Sequence, residues 1–279
     1  MLNFLVIDKV LTDALIEDMP FGDITTDIMI PEHSKSAAFL KAKEDGVLCG
    51  IDVAKRVFEL VSKNIEFLKY KEDGDAIKKG EIIAKIFGNT RGILKGERVA
   101  LNFLQRMSGI ATITNIYAEK IKDYKASVTD TRKTLPLLRM LDKYAVFVGG
   151  AKNHRYCLSD AVLIKDNHIA AVGNITKAIK LAKNKIPHTM KIEIEVRDLK
   201  QFEEALLAGA DIIMLDHMNI EDMKKACEIA DGKVLVEASG NVTLDNIEDI
   251  AKTGVDIISV GAITHSAKSL DISLDFLEE

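Results

Sequence analysis

Cysteine is scarce in this 279-residue chain, with only Cys49, Cys157 and Cys227. They are odd in number and far apart, which excludes a disulfide framework and a cysteine metal site and suits a reducing compartment. A basic excess is also missing. The formal net charge is -5, which argues against a general nucleic-acid binder and makes any strong positive field a local one. No apolar run approaches the ~18 residues a membrane span needs. The first twenty residues, MLNFLVIDKVLTDALIEDMP, carry acids at Asp8, Asp13, Glu17 and Asp18. No basic segment there leads into a long apolar one, so no secretory signal is expected and the cytoplasm is the expected location. What is present is 47% hydrophobic and 29% charged residues. That supports a sizeable core in one large barrel or two medium domains.

The chain changes texture along its length. Residues 4 to 18 predict an amphipathic helix with Leu5, Val6, Val10, Leu11, Ala14 and Leu15 on one face. Residues 36 to 90 hold short β-like runs, SAAFLKA, GVLCGI and EIIAKIFG, interrupted by the helical IDVAKRVFELVSK. This predicts a mixed, antiparallel α/β segment. A long helical pattern follows from 93 to about 122. Strand-like runs then fall near 126–130, 161–164, 191–196, 211–215, 233–237 and 256–260, with helical runs between most of them. Such alternation implies βα units with parallel strands, in a closed or nearly closed barrel or a doubly wound sheet.

The polar residues at the strand ends favour the barrel. Asp130, Lys165, Glu195, Asp216 and Ser239 each sit at or just past a C-terminal strand end, which is the catalytic face of βα barrels. One such residue would mean little, because chains commonly turn polar where strands stop. Five, with both signs of charge, point to a site.

The charge at these ends selects the chemistry. TDTRKTLP (129–136) supplies Arg132 and Lys133, and NHRYCLSDAVLIKDNH (153–168) supplies His154, Arg155 and Lys165. Cations crowded on one face repel each other and call for a multiply charged anion, held by guanidinium forks and a lysine point charge. Glu195 and Asp216 could hold Mg²⁺ together with substrate phosphates, offset positive charge on a sugar carbon, or pair with Lys165 or Arg155. The last two strands lead into small-residue loops, Ser239-Gly240-Asn241 and Gly261-Ala262. Backbone N–H groups there can approach a phosphate, with a helix expected to start near Thr243.

Several of these stretches together resemble the quinolinate phosphoribosyltransferase family. They are GDITTD (22–27), ERVALNFLQRMSGIAT (97–112), TRKTLPLLRMLDKYAVFVGGAKNHRYCLSDAVLIKDNHI (131–169), IEIEV (192–196) and GADIIMLD (209–216). The resemblance covers essentially the whole chain. It implies an α/β fold made of an N-terminal open α/β sandwich (1–110, joined by the tail 268–279) and an incomplete seven-stranded TIM-like α/β barrel (111–267). It also implies a reaction: 5-phosphoribosyl-1-pyrophosphate and quinolinate, with Mg²⁺, give nicotinate mononucleotide, pyrophosphate and CO₂ on the route to NAD.

The resemblance implies roles as well. Arg132, His154, Arg155 and Lys165 match positions that bind the quinolinate carboxylates. Lys133 matches one between quinolinate and pyrophosphate. Glu195 and Asp216 match acids near the ribose and metal. Ser239, Gly240, Asn241, Gly261, Ala262 and His265 fall in loops that take the 5-phosphate. Arg98 matches an arginine that enters the neighbouring subunit's site, which implies a homodimer or higher homo-oligomer with shared active sites.

There are departures from the family pattern. His217 stands where Asn is frequent. Leu135 and Leu137 replace the residues of the more usual TTPGLR, Phe147 stands where a basic residue is common, Ala151 where Gly is common, and Cys157 is unusual after HRY. They bear on specificity and leave every implied ligand in place. Three other readings remain open at this level. A sister phosphoribosyltransferase, such as the molybdenum-associated homologue, would be expected to lose part of the TRK…NHR…IKDNH set. A Schiff-base aldolase would use Lys165 as nucleophile but leaves the arginines without roles. YKEDGDAIKKGEIIAKIFG (70–88) resembles half of a biotinyl or lipoyl carrier domain, without the lysine at the hairpin tip.

Overall fold

The structure is a computed structural model that describes residues 2–276. It opens with α1 (Phe4–Asp18) and α2 (Ile24–Met29), then β1 (Lys35–Ala42), β2 (Gly46–Val47) and α3 (Ile51–Val61). Next come β3 (Ile65–Lys69), β4 (Ala76–Ile77), β5 (Ile82–Asn89) and the long α4 (Thr90–Lys120). After β6 (Ser127–Thr129) follow α5 (Arg139–Val148), β7 (Val162–Ile164), α6 (Asp166–Val172) and α7 (Ile175–Lys183). The chain continues through β8 (Ile192–Val196), α8 (Leu199–Ala208), β9 (Ile212–Asp216), α9 (Ile220–Ala230) and β10 (Leu235–Ser239). It finishes with α10 (Ile247–Ala251), β11 (Ile257–Ser259), α11 (Ala262–His265) and β12 (Ile272–Phe276).

Two compact units result. One comprises Met1–Asn115, Thr134–Gly150 and Ser266–Glu279, the other Ile116–Lys133 and Ala151–His265.

The first unit is built on an antiparallel sheet of order β12-β1-β5-β3. This is the antiparallel texture expected of residues 36 to 90. Helix α1 starts at Asn3, whose side chain accepts from the Leu5 N–H, a common way of satisfying a first-turn donor. It buries Ile7, Leu11 and Leu15, one row at spacing four. The sequence reading placed Leu5 and Val6 on the buried face, but both are exposed. Two apolar rows compete on this helix, and its own unit covers only the row through Ile7. Helix α3 begins with Gly50 at φ +97, and the Asp73 carboxylate accepts from the Gly50 and Ile51 N–H groups at 2.8 and 2.9 Å. Tyr144 donates to the other Asp73 oxygen at 2.9 Å.

The segment Thr134–Gly150 is anchored electrostatically. Arg106 on α4 grips the fully buried Asp142 through two bonds of 2.9 and 2.7 Å. A planar guanidinium matches a carboxylate in this way, and the pair spares the buried charge from standing alone. In the same segment Leu137 takes φ +67 and is exposed. A left-handed backbone costs a side-chain-bearing residue about 1–2 kcal/mol, which glycine avoids. The family's usual glycine at this place therefore has a physical basis. We expect Leu137→Gly to raise stability by about 0.5–1 kcal/mol, after the unfolded-state entropy of glycine is deducted. Chemical denaturation measures it, and a destabilised variant would refute the strain.

The second unit carries a parallel sheet of order β6-β11-β10-β9-β8-β7. All its ladders are parallel. The six strands fall where the six strand-like runs were expected. Lys152 adds a single parallel bridge to Thr129 on the far side of β6, so a seventh position exists only as that bridge. Asn174, Asp198 and Asn219 cap α7, α8 and α9 with their side chains, which gives each βα turn a defined helix start.

Candidate active site

Parallel strands with side chains alternating between two faces place one set of residues at their C-terminal ends. In register, Ser239 pairs with Asp216, and Glu237 and Glu195 both pair with Met214. A cleft of about 490 Å³ opens at these ends, within the range of small-molecule sites. It is lined by Thr131, Arg132 and Lys133 after β6, His154 and Arg155, then Leu163, Lys165 and Asp166 around the end of β7. Glu195, Arg197, Met214, Asp216, His217, Ser239, Gly240 and Ser259 complete it.

The cleft thus gathers Arg132, Lys133, His154, Arg155, Lys165, Glu195, Asp216, Ser239 and Gly240 from the residues picked out in the sequence. Asn241, Gly261, Ala262 and His265 are not in its lining. Gly261 nonetheless lies against it: a Cβ added there would meet Lys133 Cδ at 3.1 Å and the His265 ring at 3.2 Å. The Thr264 hydroxyl donates to the Lys133 carbonyl at 2.8 Å, which ties this loop to the lysine. Arg98 is exposed on α4 in the first unit.

Five fixed cations, Arg132, Lys133, Arg155, Lys165 and Arg197, face three cleft carboxylates, Asp166, Glu195 and Asp216. Burial, and then the neighbouring Arg132 charge, push the Arg155 pKa down. Its Nη1 donates to the Ala161 carbonyl at 2.8 Å, while its buried Nε–H finds no acceptor among the described residues. A buried donor left open is expensive unless a ligand completes it. Lys165 Nζ pairs with Glu195 Oε1, so one of the open readings of Glu195, an ion pair with Lys165, is realised here. Asp216 is looser, with Arg197 Nε at 4.0 Å and His217 Nε2 at 3.8 Å. Arg197 itself bonds Asp166 at 2.7 Å.

Backbone geometry accounts for one departure. His217 has φ +54, a region where Asn and His are tolerated better than most residues. Gly240, at φ +96, has no room for a Cβ, which would meet the His217 ring at 2.7 Å. The expected helix near Thr243 begins later, at Ile247. The Asn246 side chain instead accepts from the Thr243 N–H at 2.8 Å and donates to the Asn241 carbonyl at 2.9 Å, a turn built by asparagine.

The sequence reading missed Arg197 and Asp166, and it missed two buried acids. Glu193 and Glu237 are 4% and 1% exposed. Burial first, and then the Glu193 charge, push the Glu237 carboxyl up to about 8. The signal was present in IEIEV, where alternate glutamates must share a face, and in VLVEAS, where a glutamate takes a strand position that a barrel core fills with Val, Ile or Leu.

A parallel α/β sheet that crowds fixed cations around a cleft at its C-terminal strand ends defines a class, an enzyme acting on a polyanionic small molecule. Comparison with known proteins narrows the class. Residues 23–108 match the N-terminal domain of quinolinate phosphoribosyl transferase and residues 110–275 its C-terminal domain. The chain belongs to the quinolinate phosphoribosyl transferase family. It is 47% identical over 278 residues to a probable nicotinate-nucleotide pyrophosphorylase [carboxylating] of Methanocaldococcus jannaschii, covering 96% of each chain. It is 42% identical over 274 residues to the Bacillus subtilis protein of the same name, covering 98% of this chain and 94% of that one. The nicotinate-nucleotide pyrophosphorylase structure from Francisella tularensis superposes with a TM-score of 0.95 at 42% identity, over 99% of this chain and 98% of the other.

Proposed function

We propose that the protein transfers the 5-phosphoribosyl group of 5-phosphoribosyl-1-pyrophosphate to quinolinate with decarboxylation, yielding nicotinate mononucleotide, pyrophosphate and CO₂ for NAD synthesis. The observation that carries this reading is the cleft in which Arg132, Lys133, Arg155, Lys165 and Arg197 converge. Quinolinate is a dianion and the donor is more negative still, so both require such a field. Family membership along nearly the whole chain supports the same reaction.

In this reading Arg132, Arg155 and Lys165 hold the quinolinate carboxylates and turn the ring nitrogen toward the ribose C1. His154 lines the cleft beside Arg155 without a carboxylate contact of its own in this reading, and Lys133 lies between acceptor and pyrophosphate. As pyrophosphate departs, Glu195 and Asp216 face the positive character growing on the ribose. Ser239, Gly240, Asn241, Gly261, Ala262 and His265 form the 5-phosphate loops. Once alkylated, the positively charged ring nitrogen stabilises the electron pair left on the adjacent ring carbon as its carboxylate departs as CO₂, and a proton from solvent then takes the vacated position, so the chain needs no organic cofactor.

The donor set suits Mg²⁺, because Asp216 is a half-buried carboxylate whose ion-pair partners among the described residues, His217 and Arg197, stand 3.8 and 4.0 Å away, and Glu195 projects from the neighbouring strand. Such an ion is commonly held by one or two carboxylates together with substrate phosphates. Asp216 would be the first ligand and Glu195 the second, and bound Mg²⁺ would neutralise charge on the departing pyrophosphate.

A shared active site belongs to the same proposal. The N-terminal segment leaves Leu5, Ile16, Phe21, Ile24, Ile28 and Met29 exposed, apolar side chains that a neighbouring subunit would cover. Arg98 is then supplied by the neighbouring subunit. Mixing inactive Arg98→Ala chains with inactive Lys133→Ala chains should restore activity toward about a quarter of the parental value, if each mixed dimer keeps one intact site. No recovery despite proven subunit exchange would remove Arg98 from the site. No helix among the described residues is long and apolar enough to cross a membrane, and the three cysteines are free.

The test of the reaction is one incubation with Mg²⁺, the donor and carboxyl-labelled quinolinate, following CO₂ and nicotinate mononucleotide together, with nicotinate in parallel. Matched release from quinolinate alone is expected. Donor binding without product would move the function to a sister transferase of the same fold.

A further inference from the structure

Beneath the cleft lies a cluster that the proposed chemistry does not use. Alternation along β8 puts Glu193 on the same face as Glu195, and alternation along β10 puts Glu237 on the same face as Ser239. The His154 ring lies over both acids. Its Nε2 is 3.0 and 3.3 Å from the two Glu193 oxygens and 3.8 Å from Glu237 Oε1. Its Nδ1 accepts from the Arg155 backbone N–H at 2.8 Å. Below the backbone, fully buried Asp130 accepts from the His154 N–H and from the Asn153 amide, each at 2.8 Å. Asp130 therefore holds two successive residues, Asn153 and His154, and the His154 ring holds the third, Arg155.

These contacts fix the imidazole's proton. A nitrogen that accepts from a backbone N–H carries no proton of its own, so in the neutral ring the proton is on Nε2, where Glu193 accepts it. With both nitrogens spent on the protein, the ring keeps no N–H in reserve for a substrate carboxylate. Among the described residues Glu237 Oε1 is buried without a hydrogen-bond partner, and an apolar barrel core would avoid that desolvation. The arrangement has a use if it sets the ring, and through the ring the Arg155 main chain beside the cleft. We infer that Glu193 and Glu237 are positioning residues of the quinolinate pocket, which lock His154 as the Nε2–H tautomer so that its Nδ1 fixes Arg155 and leaves substrate contact to the Arg155 guanidinium. This inference rests on the reading that Arg155 faces quinolinate.

The first test needs no substitution in the protein studied. In protein labelled with ¹⁵N-histidine, the His154 signals, identified by their absence in His154→Asn, should show unprotonated Nδ1 and protonated Nε2, unchanged by saturating quinolinate. A protonated Nδ1, or a tautomer that switches on adding quinolinate, would overturn the inference. The second test separates positioning from packing. Glu193→Leu should raise KM for quinolinate about tenfold, change KM for the phosphoribosyl donor less than twofold and lower kcat no more than threefold. Glu193→Gln, which keeps an acceptor for Nε2–H, should recover most of that loss. Equal KM values in all three proteins, or equal damage from Gln and Leu, would make Glu193 a purely structural residue. Elemental analysis covers the remaining case. His154, Glu193 and Glu237 offer ligand atoms within 4.8 Å of one another, and one tightly held divalent ion per chain would reassign the cluster as a metal centre. The tautomer is read without turnover, so a parental protein that makes no nicotinate mononucleotide would count against the reaction alone.

Discussion

Replacing Arg132 by alanine is expected to lower kcat/KM for quinolinate by about a thousandfold, and Lys165→Ala by a similar factor. Removing one preorganised charged donor from a site costs about 3–4 kcal/mol of transition-state stabilisation, and each of these residues also orients the acceptor. Arg132 acts on Arg155 as well, since its charge is one of the causes that depress the Arg155 pKa. Two cations held this close repel until an anion joins them, so part of the ligand's binding energy is relief of that repulsion. The same substitution should therefore abolish the thermal stabilisation that quinolinate gives the parent. In the Lys165 variant, Glu195 loses the ammonium it pairs with, and its charge opposes an incoming carboxylate. Steady-state kinetics with each substrate varied in turn provides the check. Near-parental activity in either variant would remove that residue from the pocket.

Stability should fall as pH rises through the neutral range, and Glu237 should be a principal cause. Its carboxyl is pushed from an ordinary value of 4.5 up to about 8 by burial and by Glu193. Between those values the folded chain holds a proton that the unfolded chain has released. The stabilisation is complete below about pH 4.5 and is lost as pH climbs through 8. The slope approaches about 1 kcal/mol per pH unit inside the window, reduced by the neighbouring His154. Burial also raises Asp73 and Asp142, so the parent's slope is a composite. Glu237→Gln isolates one contribution because it keeps the shape of the neutral acid. Melting temperatures at pH 6, 7 and 8 should fall by about 2 °C per unit more steeply in the parent than in the variant. Parallel curves would show that Glu237 does not carry the proton.

Much of the second unit was legible in the sequence, because parallel βα units have a strong local signature. Each of the six strands is a short apolar run, and Lys165, Glu195, Asp216 and Ser239 sit at their ends where the chain turns polar. Other features depended on partners far away in sequence. No local pattern says that Asp142 meets Arg106, or that Ile7 rather than Leu5 finds cover. The apolar period of α1 fits two faces, and tertiary packing chooses between them. Glu193 and Glu237 went unnoticed for a different reason. An acid inside a strand ordinarily reads as a solvent-facing residue, and only closure of the sheet turns that face inward. The positive φ at His217 and Leu137 was likewise hidden, since neither residue advertises a left-handed backbone as glycine does.

The antiparallel sheet of the first unit has a consequence for how the chain comes into being. Its edge strand, β12, lies against β1 with Ala38 facing Phe276, and the ion pair between Lys43 and Asp275 joins residues 232 apart. Gly109 on α4 leaves no room for even a methyl group beside the Lys268 carbonyl, so this late segment is seated closely. During synthesis β1 leaves the ribosome before any strand of the parallel sheet, yet its outer neighbour is made only after that entire sheet. For most of translation the hydrogen-bonding edge of β1 is open, a template on which unrelated strands could pair. The second unit, whose strands are all in hand by Ser259, can assemble while the first still waits for its closing strand. Newborn chains are therefore most vulnerable to aggregation in the interval before β12 emerges, and a chaperone that shields an open strand edge would act there.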